Sequence, residues 1–124
     1  MVTIQITKNF KSAAKPLLKK YPSLSKDLLN LERELINNPK LGTPLGHNAY
    51  KIRIKITSKG KGKSGGARVI SLVETTIIGT VDIQDENVIV NLISIYDKAD
   101  TATISDKELK DLIKSFHQGP DTGA

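Results

Sequence analysis

The chain lacks cysteine, has few aromatic residues and contains no long apolar run. The absence of cysteine excludes disulfides and thiolate metal sites, and two well-separated histidines, His47 and His117, argue against a zinc site. Three tyrosines and two phenylalanines argue against a protein that stacks single-stranded bases along rows of rings. No apolar run approaches the roughly eighteen residues of a membrane span, and the start, MVTIQITKNF, lacks a secretory signal core. We therefore expect a cytoplasmic protein that uses neither a metal ion nor a cofactor.

Acidic residues are also scarce in the first half of the chain. Residues 1–68 contain fifteen Lys and Arg but three Asp and Glu, whereas residues 69–124 contain four and ten. The centre of the basic half is KIRIKITSKGKGKSGGARVI, residues 51–70, with seven basic side chains and no acidic one. Such clustering favours a polyanionic partner, most simply a nucleic acid. A solvated surface that keeps the protein soluble is the alternative interpretation.

The length of 124 residues fits one domain, which we assign to 1–124, with 118–124 as a flexible tail. Hydrophobic periodicity predicts the order β-α-α-β-β-β-α, an α+β fold whose helices pack on a small antiparallel twisted sheet. The predicted strands are Val2–Thr7, Tyr50–Thr57, Ala67–Val81 with a bulge at Gly79, and Val88–Tyr96. The last strand is the most apolar and is expected to be central.

Three amphipathic helices complete this prediction. The first is capped by Thr7, is kinked at Pro16 or starts late there, and buries one apolar stripe formed by Phe10, Ala14, Leu17, Leu18 and Tyr21. The second starts at Ser23 or Ser25 and ends before the NNPKLG segment. The third opens with Ser105 and Glu108, which are spaced as a capping box.

The strand YKIRIKIT places cations on one side and isoleucines on the other. Lys51, Arg53 and Lys55 alternate with apolar residues, so they lie about 6.5–7 Å apart on one face, near the spacing of successive phosphates. Antiparallel pairing through the glycine loop would bring Arg68 beside them, and arginine can hold a phosphate with two hydrogen bonds. The loop lysines Lys59, Lys61 and Lys63 are predicted to bind RNA. An acidic protein segment would also fit this face, and lysines that protect a sheet edge are a further alternative.

The sequence restricts the chemistry that such a face could perform. A phosphate-binding Walker loop ending at Lys63 and Ser64 would need a glycine at the position of Thr57, and the segment leads into a strand instead of a helix. RNA carries its own nucleophile, the 2′-hydroxyl. An enzyme therefore needs only to position the strand, move a proton and stabilise charge on the phosphorus, which cations can do.

The basic strand, the segment GKSGGARVI, and the later IYDK and ISDKEL together resemble the RelE/ParE toxin superfamily, in its RelE/HigB-like branch. The resemblance runs from about Phe10 to Ile113. It implies a small β-α-α-β-β-β-α protein encoded with an antitoxin. Many members of that superfamily cut messenger RNA in the ribosomal A site without a metal ion, and others poison DNA gyrase.

The resemblance also implies residue roles. The catalytic cations of the strand before the loop correspond to Lys51 and Arg53, with Lys55 as a third candidate. The arginine that opens the next strand corresponds to Arg68, a phosphate ligand. A cation after the last strand, which would stabilise the transition state, corresponds to Lys98.

One family feature is displaced. The tyrosine that many members use as a base or stacking group would fall near Ile104, so Tyr96 or His117 must take its place. The expected function is ribosome-dependent mRNA cleavage with the antitoxin, mRNA and the ribosome as partners. A gyrase inhibitor without enzymatic activity and a catalytically inactive nucleic-acid-binding module are the alternatives.

Overall fold

Three helices and a five-stranded mixed sheet form the fold of the computed structural model, which describes residues 1–60, 65–80, 84–100 and 104–118. The strands are β1 (Val2–Ile6), β2 (Thr43–Gly46), β3 (Ala49–Ile54), β4 (Ala67–Gly79) and β5 (Gln84–Asp97). The helices are α1 (Lys8–Lys20), α2 (Leu24–Asn37) and α3 (Asp106–Gln118). The predicted α+β class, with an N-terminal strand and a C-terminal helix, is confirmed. Of the predicted tail 118–124, Gln118 closes α3 and the rest lies outside the described residues.

The strands are arranged in the order β1-β5-β4-β3-β2. Neighbours are antiparallel except β1 and β5, which pair in parallel from Val2 opposite Val88 to Ile6 opposite Leu92. This parallel pair makes the sheet mixed where antiparallel pairing was predicted. It arises because α1 and α2 intervene before the chain returns to the sheet. The central strand is β4, since β1 occupies the outer side of β5.

Each face of the sheet has its own apolar core. The hairpin face, covered by α1 and α2, buries Ile52, Ile54 and Ile56 together with Val69, Val90, Leu92 and Ile95. The α3 face buries Ala49, Ile70, Leu72 and Ile93 against Leu109. The isoleucines of β3 therefore face α1 and α2 as predicted, and the alternating cations belong to the α3 face.

Side chains that the sequence predicts as caps are found at the starts of α1 and α3. The Thr7 side chain caps α1 by accepting from the Phe10 amide at 3.1 Å. Ser105 accepts from the Glu108 amide at 3.1 Å and donates to its carboxylate at 2.9 Å, which confirms the capping box. Pro16 lies inside α1, which continues to Lys20. Of the predicted stripe on α1, Leu18 remains exposed.

Two features of the sheet differ from the predicted pattern. Strand β2 was not predicted, and it joins β3 through a tight turn in which His47 and Asn48 both adopt positive φ angles. The bulge expected at Gly79 lies instead between Ile70 and Ser71, where β4 shifts register against β5. Gly79 ends β4 with a φ of 134°, a conformation open to glycine.

Within the described parts of the chain, no helix is both long enough and apolar enough to cross a membrane.

Candidate nucleic-acid interface

Arg53, Arg68 and Tyr96 form a row across three adjacent strands on the α3 face. Arg53 of β3 lies directly opposite Arg68 of β4, and Arg68 lies directly opposite Tyr96 of β5. Directly opposite residues have Cβ atoms about 4.5–5.5 Å apart and point to the same face. The predicted convergence of Arg53 and Arg68 is therefore present in this register. We call these three residues the arginine row.

The arginine row places two positive charges side by side, one on a buried side chain and one on an exposed side chain. Arg68 is 4% exposed and Arg53 is exposed. Burial lowers the pKa of Arg68, the neighbouring Arg53 charge lowers it further, and Tyr96 acts in the opposite direction. The Arg68 Nη1 also donates to the Ala67 carbonyl at 3.1 Å, which fixes the plane of the guanidinium. Since directly opposed like charges are unfavourable, an anion held above this pair would be stabilised by both.

The other predicted cations lie around the arginine row. Lys51 precedes Arg53 by two residues on the same strand face, is half-buried, and lies opposite Ile70. Lys55 follows the end of β3 and is exposed. Lys98 lies in the turn after β5, half-buried, and its backbone amide donates to the Gly66 carbonyl at 3.1 Å. Lys51 therefore lies beside Arg53 on the α3 face, whereas the Lys55 charge acts on Asp27 of α2, which covers the opposite face.

Arg53 and Lys55 also lie at an open strand edge. Strand β2 pairs with β3 only as far as Lys51, and no described strand covers the same side of Arg53. A cavity of about 310 Å³ lies here between β3 and α2, lined by both cations and by Asn30 and Glu34. No described strand blocks this side, but the carboxylates of Asp27 and Glu34 also line the cavity, so a polyanion would meet negative charge beside the two cations.

Lys59 occupies a different environment from the one expected of an RNA ligand. Its ammonium donates to Asp97 Oδ1 and to the Gly65 carbonyl, both at 2.7 Å, and its side chain is 13% exposed. It also lies 5.3 Å from the centre of the Tyr21 ring. Lys59 thus joins the two ends of the glycine-lysine loop. The remaining predicted RNA ligands, Lys61 and Lys63, lie outside the described residues.

Asp97 accepts hydrogen bonds where the two ends of this loop meet, a region that we call the loop base. Its carboxylate is fully buried on the hairpin face and accepts from the Tyr21 hydroxyl at 2.6 Å, the Lys59 ammonium and the Ala99 amide. Burial would raise the pKa of Asp97, but these hydrogen bonds and the Lys59 charge outweigh burial and lower the pKa to about 2. Asp97 is therefore ionised at neutral pH and paired.

A second carboxylate fixes the start of the same loop. Asp27 of α2 accepts from the Thr57 amide at 2.9 Å, the Thr57 hydroxyl at 2.6 Å and the Ser23 hydroxyl at 2.8 Å. Burial would raise the pKa of Asp27, but these bonds and the Lys55 charge lower it. Thr57, Lys59 and Gly65 are thus held in place on either side of residues 61–64.

Sequence reasoning missed both anchoring carboxylates. Neither Asp27 nor Asp97 is among the candidate site residues that the sequence indicates. One signal was available for Asp97: it directly follows the most apolar strand, where a carboxylate is poorly solvated and needs donors. Its main donor, Lys59, is 38 residues away, so no local pattern could identify it.

Tyr96 joins the arginine row to a larger cavity. This cleft of about 640 Å³ lies between α1, β5 and α3, and is lined by Tyr96, Ser94, Ser12 and Glu108. The Tyr96 hydroxyl is buried, and it has no hydrogen-bond partner among the described atoms. His117, the alternative base, is exposed at the end of α3, with its ring edge-on to Phe116.

A scan against models of protein families, a search of curated proteins and a search of solved structures each found no match to this chain. The functional proposal therefore depends on the arginine row, its surroundings and the sequence motifs described above.

Proposed function

We propose that this chain is the toxin of a type II toxin–antitoxin pair, and that it cleaves messenger RNA in the ribosomal A site without a metal ion. The arginine row carries this proposal, since it offers two guanidinium groups and a tyrosine to one phosphate on an otherwise apolar sheet face. The RelE/HigB-like sequence motifs support the same assignment. The protein would act in the cytoplasm, and an acidic segment of its antitoxin would cover the basic face when the toxin is held inactive.

The proposed reaction uses the nucleophile that RNA provides. A base on the protein removes the 2′-hydroxyl proton, the oxygen bonds to the adjacent phosphorus, and the bond from phosphorus to the 5′-oxygen breaks as that oxygen takes up a proton. The products carry a 2′,3′-cyclic phosphate and a 5′-hydroxyl. Arg53 and Arg68 would stabilise the charge on the phosphorus, Lys51 and Lys98 would add to it, and Tyr96 is the nearest proton carrier.

Replacing Arg53 or Lys51 should reduce cleavage without unfolding the protein. We expect Arg53→Ala to lower the rate of cleavage of ribosome-bound mRNA by about 100-fold, because one donor to the developing charge is lost. Lys51→Ala should lower it by about 10-fold, since a lysine offers one point of contact. Quantitative mapping of RNA ends measures both rates and identifies the terminal groups.

Lys40→Ala is the matched control, because Lys40 is an exposed lysine outside this region and its loss changes the net charge equally. Wild-type cleavage by both Arg53→Ala and Lys51→Ala would contradict the assignment of the site. Inhibition of DNA supercoiling without RNA fragments would favour the gyrase alternative. Salt-sensitive RNA binding without cleavage or growth arrest would favour an inactive binding module.

Tyr96→Phe separates proton transfer from folding. Its hydroxyl makes no hydrogen bond among the described residues, so its removal should leave the free energy of unfolding within about 1 kcal/mol of wild type. Cleavage should fall by about 100-fold or more if this hydroxyl carries the proton. Urea denaturation and the cleavage assay measure the two effects. Unchanged cleavage would mean that another residue acts as the base, and His117→Ala would be the next variant to measure.

A further inference from the structure

The ends of β4 and β5 form an arm that extends beyond the sheet. Pairing of β3 with β4 stops at Leu72, and pairing of β1 with β5 begins at Val88. Past these limits, residues 76–79 of β4 pair with residues 84–87 of β5 and with no other described strand, and the amino terminus of Met1 donates to the Glu86 carbonyl at 2.8 Å. Ile77 and Ile78 are 66% and 52% exposed on this arm. An isolated two-stranded ribbon is marginally stable in water, so exposed isoleucines on one indicate a surface that is covered in use.

The arm combines apolar side chains with acidic ones. The sequence contains no Lys or Arg between Arg68 and Lys98, whereas residues 74–87 include four acidic residues. Ile77 lies directly opposite Glu86, so these two exposed side chains point to the same face of the arm. This face therefore presents an isoleucine beside a carboxylate.

A groove of complementary chemistry lies along α1. Its cavity of about 480 Å³ has an apolar floor formed by Ile6, Phe10, Ala14, Leu18 and Leu28. Leu18 is 41% exposed here, although it belongs to the apolar stripe of α1. Lys11, Lys15 and Lys19 also line the cavity, and they are spaced four residues apart, so they form one row along the helix. We call this region the lysine groove.

The arm of a chain points away from its own lysine groove. The arm begins beyond Val88, at the end of β5 where β1 starts. The groove begins at Ile6, which lies opposite Leu92, and α1 then runs towards the other end of β5, where Tyr21 bonds to Asp97. The arm and the groove thus lie at opposite ends of the molecule, so one copy can fill the groove only of another.

We propose that the arm of one copy docks in the lysine groove of a second copy, and that the exchange is reciprocal in a two-fold dimer. Ile77 covers the apolar floor, and Glu86, on the same face of the arm, meets Lys15 and Lys19. Reciprocal exchange satisfies both arms and both grooves and closes the assembly. The dimer depends on neither the arginine row nor RNA cleavage.

Sedimentation equilibrium of the full chain tests this interface. We expect a concentration-dependent dimer whose dissociation constant rises at least 10-fold between about 0.1 M and 1 M salt, because the charge pairs are screened. Ile77→Thr alone, and Lys15→Glu together with Lys19→Glu, should each raise the dissociation constant by about 100-fold. The control, Lys26→Glu with Lys40→Glu, changes exposed lysines outside the groove by the same charge and should leave it unchanged.

A charge exchange makes the test specific for the arm and the groove. Glu86→Lys places a lysine beside Ile77, so this face of the arm repels the basic groove, and Lys15→Glu with Lys19→Glu gives a groove that repels the acidic face of the arm. Each variant alone should be monomeric, and an equimolar mixture should form a heterodimer with both contacts restored. The proposal is overturned by a wild-type monomer across about two decades of concentration, by a dimer insensitive to these variants, or by a mixture that stays monomeric. A wild-type monomer would instead assign the groove to an acidic segment of another protein.

Discussion

Arg68→Lys should lower ribosome-dependent mRNA cleavage by about 100-fold while the purified protein remains folded. The substitution keeps the positive charge but removes the planar fork that grips a phosphate through two hydrogen bonds. The effect should exceed that of Lys51→Ala because Arg68 is held in place by its bond to the Ala67 carbonyl and by its burial. A donor that is already oriented loses little entropy when charge develops on the phosphorus.

Arg33→Lys is the control for the Arg68 experiment. Arg33 is an exposed residue of α2, so the same chemical change there should leave both cleavage and folding unchanged. Cleavage by Arg68→Lys at the wild-type rate, in a protein with normal circular dichroism, would show that Arg68 is structural. Arg53→Lys independently tests binding of the same phosphate by a second arginine, which is exposed. It should give a smaller loss than Arg68→Lys because its side chain is less restricted.

Asp97→Asn should produce the largest loss of stability that a single side chain of the loop base can cause. The change leaves the Lys59 ammonium largely buried without its carboxylate partner and weakens the bond from Tyr21. Removing one partner of a buried ion pair costs about 3–5 kcal/mol, which is a large part of the total stability of a small domain. Urea denaturation at neutral pH measures the loss.

Asp111→Asn provides the matched control for Asp97. Asp111 pairs with Lys107 at 3.6 Å on the exposed face of α3, where an ion pair contributes less than about 1 kcal/mol. A second comparison adds Lys59→Met to Asp97→Asn, which removes the unpaired buried charge and should recover part of the lost stability. Equal losses for Asp97→Asn and Asp111→Asn would mean that the buried pair contributes nothing beyond a surface pair.

The Asp97 carboxylate also predicts how stability depends on pH. Its pKa is about 2 in the folded protein, below the ordinary value of 3.8, so between these values the unfolded chain binds the proton more readily. The contribution of about 2 kcal/mol is therefore fully present above about pH 4 and is lost as the pH falls through about 2. Asp97→Asn should lack this component, and urea midpoints measured from neutral to acid pH would reveal it.

Much of the fold follows from patterns within single segments. The period of two in β3 determines that Ile52 and Ile54 face the helices, because one register buries all the apolar side chains together. The capping residues Thr7 and Ser105 determine where α1 and α3 begin, since each bonds to an amide three residues ahead. Strand β2 was missed because TPLG is short and has little alternation, and its pairing depends on a turn that His47 and Asn48 form in the left-handed region.

The sequence by itself determined the charge of the molecule, the segments that form helices and strands, and the side of β3 on which its cations lie. These are local properties, because they depend on residues a few positions apart. Only the tertiary structure decided that Arg68 lies between Arg53 and Tyr96, since that placement depends on the register of three strands. It also decided that Lys59 binds Asp97 while Arg53 remains exposed. In sequence Lys59 looks like any other lysine of its loop, and only the fold brings the distant, buried Asp97 carboxylate within its reach.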